Sequence, residues 1–402
     1  LPRQNGALDA LKVVAISLSV VLVAAVGIVG YAVLDTWNSV QSNAVDITSD
    51  GVVPPAPASI GALEGGFDML IVGTDNDADQ GDAFGARDAT LNDVNIWLHV
   101  AADHSTAVAV SLPRDLVIPH PECTDPATGE SFSAMSAQPL NVAYSRGGLS
   151  CVVDTVESLT GAEIGYAGTV SFNGVIALTD AVGGVPVCLV EPINDPLADL
   201  DLPAGTSIVE GETALAFLRT RHGVGDGSDL ARISVQQSYL SSLLRTVKSD
   251  ATFSDPLTLY RIARVAADHM TLSTTLANLT TMASMALTLK DIDLEKVVFV
   301  QLPVVGDPDN PGKVIPDEAK TEELLALVLS DQPFTLAGPV GSGVVVTPTE
   351  EPAPPAEPEE PTEPVDPEAP VTEEPPVVAA PPTLEVPGTN AAQETCATPF
   401  GG

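Results

Sequence analysis

The sequence predicts an α/β domain in which helices cover a central sheet, and two observations carry that prediction. Between residues 63 and 335, short apolar runs of β type alternate with segments of helical period, and neither kind gathers at one end. The second observation limits the domain: 35 prolines and 32 glycines among 402 residues are too many for a chain that is compact throughout, so linkers flank it. The runs at 67–73, 94–100, 106–112, 167–172, 185–189 and 296–302 read as strands. Leu149, Val152, Val153, Val156 and Leu159 recur at helical spacing, and 210–221, 228–247, 256–269 and 317–329 also read as helices.

Outside the domain the composition changes sharply. Residues 13–34 carry no charge. As a helix rising ~1.5 Å per residue they span a ~30 Å hydrocarbon core. Arg3 and Lys12 precede the run, and the next basic residue is Arg87. The positive-inside rule therefore puts residues 1–12 in the cytoplasm and everything after the helix outside. A cleaved signal peptide is the competing reading, but the run exceeds a usual signal core and no small-x-small site follows closely. Residues 35–62, with Pro54, Pro55 and Pro57, read as a spacer. Residues 336–402 read as a tail without fold, since no basic residue follows Lys320 and proline alternates with Glu, Val and Thr. Cys123, Cys151, Cys188 and Cys396 fit no zinc spacing. Placed outside, they allow three full pairings, while Cys188 also suits a free buried thiol.

The formal charge of −38, from 54 acidic and 16 basic residues, opposes nucleic-acid binding and makes any local cluster of cations informative. The first run ends in Thr74-Asp75, at the carboxyl end of a strand, where ligands of α/β sheets gather. In the next strand Val94, Ile96, Leu98 and Val100 share one face and leave Asp93, Asn95, Trp97 and His99 on the other. If the two strands are antiparallel neighbours, Asp75 and Asp93 would meet around one hard cation. His99 reads as a satisfied buried imidazole. Arg114 follows a strand-ending proline, where it can fork onto phosphate oxygens or pair with Asp115 on the surface. Arg219, Arg221 and Arg232 fall within fourteen residues. Arg232 and Gln236, four apart, share a helix face capped by Ser228 or Asp229, whereas Arg219 and Arg221 converge only at a helix end. Pairing with the surplus carboxylates is the alternative account of this cluster.

Together these blocks resemble the LytR-CpsA-Psr family of cell-wall glycopolymer ligases. The carriers are Leu70-Ile71-Val72-Gly73-Thr74-Asp75, Leu91-Asn92-Asp93, Ser111-Leu112-Pro113-Arg114-Asp115 and Leu140-Asn141-Val142-Ala143-Tyr144. They continue with Asp180 to Val185, Leu202 to Gly205, Ala214 to His222 and Asp229 to Gln237. The resemblance implies a single αβα-layered domain around a central mixed sheet, with an apolar pocket for a polyprenyl chain. It implies Mg²⁺ or Mn²⁺ held by Asp75 and Asp93, and a diphosphate held by Arg114, Arg219, Arg221, Arg232 and Gln236. The partners it implies are an undecaprenyl or decaprenyl diphosphate-linked glycan and peptidoglycan. The reaction it implies is a phosphotransfer, with Asp93 as base and Arg219 and Arg221 in catalysis. One departure concerns Asp93: the family often has an Arg two residues before this Asp, where Leu91 stands, which makes Arg87 a candidate substitute cation.

Three other functions use the same residues or none of them. A pyrophosphatase would send water in place of the sugar hydroxyl. A regulator acting on DNA is opposed by topology and charge. A wall-binding scaffold would work through the acidic tail and be indifferent to Asp75 or Arg219. For the lipid pocket, the apolar faces of helices near 172–182, 230–247 and 256–269 are candidate walls, each equally explained as core.

Overall fold

The computed structural model describes residues 40–48, 54–76, 89–249, 256–347 and 380–401. The expected membrane helix at 13–34, Arg87 and most of the proline-rich stretch lie outside them. Among the described residues no helix is long and apolar enough to cross a membrane.

The central sheet is built from β1 (Phe67–Thr74), β2 (Asn92–Val100), β3 (Ala107–Leu112), β4 (Tyr166–Val170), β5 (Met270–Leu272), β6 (Val297–Gln301) and β7 (Gly388–Asn390). Their order across the sheet is β5-β4-β1-β2-β3-β6-β7. Strand β1 pairs antiparallel with β2 and parallel with β4, and β3 pairs antiparallel with β2 and parallel with β6. The sheet is therefore mixed. The carboxyl ends of β1, β3, β4 and β6 share one edge with the start of β2.

Alternation along the strands feeds two cores. On one face Leu70, Val72, Trp97, Val108 and Val110 meet Leu149, Val152, Val153 and Val156 of α1 (Ala143–Thr160). On the other, Phe67, Ile96, Val100, Ala109 and Phe299 meet helices from the second half of the domain. The helices after α1 are α2 (Phe172–Val182), α3 (Gly211–Arg219), α4 (Asp229–Lys248), α5 (Pro256–His269), α6 (Leu279–Asp291) and α7 (Glu318–Leu329). Leu324 and Val328 of α7 join the α1 side, while Ala267 of α5 and Met285 of α6 join the other, giving αβα layers. A third core lies between α3, α4 and a four-stranded sheet ordered 205–209, 185–189, 395–397, 344–346.

Two boundary expectations need correction. Residues 336–402 are not uniformly without fold: β7 adds a strand to the central sheet, and Thr395–Ala397 lies between two strands of the small one. Val386, Ala391 and Ala397 are buried there, which repays the ordering of this segment. Upstream, part of the spacer 35–62 packs on the domain: Val40 and Ile47 are buried and Val45 exchanges backbone hydrogen bonds with Leu272 and Thr274. The cysteines pair as Cys123–Cys151 and Cys188–Cys396, so Cys188 is not a free thiol.

Candidate active site

A β-bulge starts the site. Thr74 pairs with Asn92 and Gly73 with Val94, leaving Asp93 as the extra residue. A bulged residue turns away from the alternation of its strand. Asp93 thereby joins Val94 and Ile96 on the wall of one cavity, where a regular strand would have sent it to the opposite face. Fully buried Asn92 secures the bulge: its Nδ2 donates to Asn95 Oδ1 at 2.7 Å and to the Leu140 carbonyl at 3.1 Å, and its Oδ1 accepts the Tyr144 N–H at 3.0 Å.

Pro113 ends β3 beside this bulge and delivers Arg114, whose Nη1 donates to Asp93 Oδ2 at 2.8 Å. Across the gap, Ser228 caps α4 by accepting the Ala231 N–H, and the first turn of α4 presents Asp229 and Arg232. Asp229 Oδ1 then gathers three guanidiniums: Arg232 at 2.7 Å, Arg221 at 3.0 Å and Arg114 at 3.5 Å. Arg232 also donates to the Asp93 carbonyl at 3.0 Å, tying α4 to β2. Burial works against the charge on Arg114, yet Asp93, Asp229 and Asp115 outweigh it and hold its pKa above the ordinary value. On Arg232 burial dominates, and with the neighbouring Arg114 and Arg221 it lowers the pKa despite Asp229.

Arg219, at the end of α3, stands with its guanidinium carbon 4.5 Å from the Phe172 ring centroid, a cation–π arrangement. Gln236 donates from Nε2 to the Leu218 carbonyl at 3.0 Å, so it also braces the end of α3. Asp93, Arg114, Arg219, Arg221, Arg232 and Gln236 all line one cavity of about 370 Å³. Its remaining walls are mostly apolar, including Ile71, Val94, Ile96, Val170, Val175, Leu215, Leu218 and Leu240. Helices α2 and α4 supply part of these walls. The described side chains of α5 do not line this cavity; α5 packs on α2.

The register sets Asp75 opposite Leu91, one residue before Asn92 and the bulged Asp93. Its N–H donates to the Leu91 carbonyl and its Oδ1 accepts the Leu91 N–H at 2.8 Å, so Asp75 faces Leu91 and clasps the neck of the loop between β1 and β2. It is 2% exposed. Among the described residues no group of three or more His, Cys, Asp or Glu side chains could hold a metal alone. Sequence reasoning also missed two contributors. Asp229 carried a visible signal, its position three residues before Arg232 on a helix. The role of Asn92 depends on the bulge and carried none.

Several polar atoms of the ion-pair cluster beside this cavity are buried without a hydrogen-bond partner: Asp93 Oδ1, Arg114 Nε, Asp229 Oδ2 and Arg232 Nε. Buried polar atoms left unsatisfied are costly: the two guanidinium nitrogens call for an acceptor and the two carboxylate oxygens for a donor or a cation. The fold and site thus define an α/β pocket protein in which four guanidiniums and an apolar wall line one cavity.

The model of the LytR_cpsA_psr family matches residues 35–326, and the chain belongs to that family. It is 30% identical over 270 residues to the cell wall biosynthesis protein LcpA of Corynebacterium glutamicum, covering 61% of this chain and 51% of that protein. It is 26% identical over 243 residues to the polyisoprenyl-teichoic acid–peptidoglycan teichoic acid transferase TagU of Enterococcus faecalis, covering 59% of this chain and 72% of that one. The chain spans about half the length of its corynebacterial relatives. The solved LytR-Csp2A-Psr enzyme from Actinomyces oris superposes with a TM-score of 0.51 at 22% identity, over 69% of this chain and 96% of that one, which shows a shared fold.

Proposed function

We propose that this chain transfers a polyprenyl-diphosphate-linked glycopolymer to peptidoglycan and releases polyprenyl phosphate. The observation that carries the reading is the cavity's two-part lining, four arginines on one side and an apolar wall on the other. The transferase activity named for the TagU relative supports the same class of reaction.

Arg114, Arg219, Arg221 and Arg232 would bind the diphosphate oxygens. Three are already oriented by Asp93 and Asp229, and Arg219 by Phe172, so they would stabilise developing charge without reorganising. A peptidoglycan sugar hydroxyl attacks the glycan-side phosphorus and its proton passes to Asp93 Oδ1. The bond from that phosphorus to the bridging oxygen breaks, and polyprenyl phosphate leaves with the electron pair. A phosphodiester remains between glycan and peptidoglycan, and no enzyme side chain is covalently modified.

The family also implies Mg²⁺ or Mn²⁺. Mg²⁺ commonly takes one or two carboxylates and completes its shell with water and substrate phosphates. Asp93 Oδ1, buried and without a hydrogen-bond partner, would fit one such ligand, whereas Asp75 Oδ1 accepts the Leu91 N–H; with an ion on Asp93 Oδ1 the hydroxyl proton would pass to water instead of to that oxygen. Bound there, the ion would neutralise charge on the diphosphate. We extend the proposal to an extracytoplasmic domain on a single-pass anchor at 13–34, with a cytoplasmic N-terminus. The two disulfides support the outer compartment.

The test is transfer of a radiolabelled polyprenyl-diphosphate glycan to peptidoglycan by the full chain, with Mg²⁺ or EDTA. The expected result is metal-dependent label in peptidoglycan, reduced about a hundredfold or more by Arg219→Ala. Lipid cleavage without attachment would replace this reading with a pyrophosphatase, and no turnover at all would leave a binding scaffold.

A further inference from the structure

Arg219 and Arg221 line the same cavity although they are two residues apart. On a continuing helix such residues diverge by about 200°. The chain resolves this by leaving the helix between them: α3 ends at Arg219, and Thr220 has φ −59° and ψ 137°. Thr220 is completely buried, and its hydroxyl donates to Asp195 Oδ2 at 2.7 Å.

Asp195 is itself 2% exposed and is held on several sides. Its Oδ1 accepts the Leu197 N–H at 3.0 Å. Burial raises its pKa, but Thr220, the backbone N–H groups of Leu197 and Arg221, and His222 prevail and keep the carboxyl below its ordinary value. The carboxylate sits at the end of an antiparallel hairpin, 193–195 against 200–202, whose Ile193 and Leu200 are buried with Phe217 of α3. Gly223 closes over the pair: a Cβ there would stand 2.7 Å from Thr220 Oγ1 and 3.0 Å from Asp195 Cβ, so any side chain would push them apart.

We propose that Asp195 is a positioning residue for the arginine site, fixing through Thr220 the turn that aims Arg219 and Arg221 into one cavity. The inference rests on reading that cavity as a diphosphate site. Neither Asp195 nor Thr220 lines the cavity, so both act through the arginines.

The test titrates the full chain in detergent with geranylgeranyl diphosphate, alongside thermal melts. Thr220→Val removes the donor at nearly constant volume, and Thr220→Ser restores it. As a control, Thr155→Val removes another buried hydroxyl bond, to the Cys151 carbonyl on the far face of the sheet. Thr220→Val and Asp195→Asn should each weaken binding roughly tenfold, the equivalent of one charge-assisted hydrogen bond. Thr220→Ser should bind like wild type, and Thr155→Val should lose stability without losing affinity. Thr220→Val binding like wild type would overturn the positioning role alone, as would a loss shared by Thr220→Ser or Thr155→Val. If Thr220→Val does not fold, Asp195→Asn carries the same decision. A wild type that binds no diphosphate would overturn the reading of the cavity and this inference with it.

Discussion

Asp229 is the residue on which the site's electrostatics converge, because one of its oxygens pairs with three guanidiniums. Removing one partner of a buried ionic group leaves the others uncompensated, which typically costs ~3–5 kcal/mol. Asp229→Ala should therefore lose about 3 kcal/mol in urea denaturation as well as activity; a variant as stable as wild type would show that solvent already screens these arginines. At the far end of β2, His99 Nδ1 lies 2.9 Å from Asp68 Oδ1 and Nε2 lies 2.8 Å from Asp331 Oδ1. Burial opposes its protonation, but the two carboxylates prevail and raise its pKa above 6.5. A raised folded pKa means that the stabilisation is fully present below the unfolded value and is lost as pH rises through the folded one. Urea midpoints from pH 5.5 to 8.5 should show wild type losing its advantage over His99→Gln on going alkaline; parallel profiles would refute the assignment. His99 was legible as a satisfied imidazole because its strand face was otherwise polar or aromatic. Its partner Asp331, 232 residues away, was not.

Elements were legible where periodicity was long. The read segments 185–189 and 256–269 coincide with the observed ones, and β1, β2, β3 and β6 differ only by a residue or two at their ends. Helix α6 went unread because its apolar residues are interleaved with threonines; the Thr288 hydroxyl, for one, donates back to the Ser284 carbonyl and accepts the Leu63 N–H from the start of the domain. The bulge at Asp93 was invisible because it changes which face a residue takes while leaving the residue pattern intact. The start of α4 is the element most directly tied to the site, since its Ser228 cap sits one residue before Asp229. Ser228→Ala should cost about 1 kcal/mol and weaken diphosphate binding, whereas Asn278→Ala, which removes the cap of α6 away from the cavity, should cost similar stability and leave affinity unchanged. Equal affinity in Ser228→Ala and wild type would mean that the ion pairs alone hold this turn.

At the scale of the molecule, sequence separates what the fold joins. Three-residue strands at 388–390 and 395–397, beyond a stretch rich in proline and glutamate, carry too little pattern to be read, yet they complete two sheets. They also reach the site: Phe400 donates its N–H to the Gly223 carbonyl, and Gly225 and Gly401 continue the pairing, so the loop after Arg221 is fastened by the end of the chain. Cys188–Cys396 locks this arrangement across a sequence separation of 208 residues. In the chain-entropy view so long a loop contributes on the order of 5 kcal/mol, while the strand pairing itself does not depend on the sulfurs. The double variant Cys188→Ala, Cys396→Ala should therefore still fold, melting on the order of 10 °C lower. Deleting residues 380–402 should do more. It strips a partner from Val298–Val300, removes the strand between 185–189 and 344–346, and uncovers Val344, which lies in the core shared with Phe217. Thermal melts followed by circular dichroism separate the cases. A cooperative transition in the disulfide variant and none in the deletion would show that the strands bind the domain together and the sulfurs reinforce them. A deletion that melts like wild type would make the end of the chain an accessory to a domain already complete.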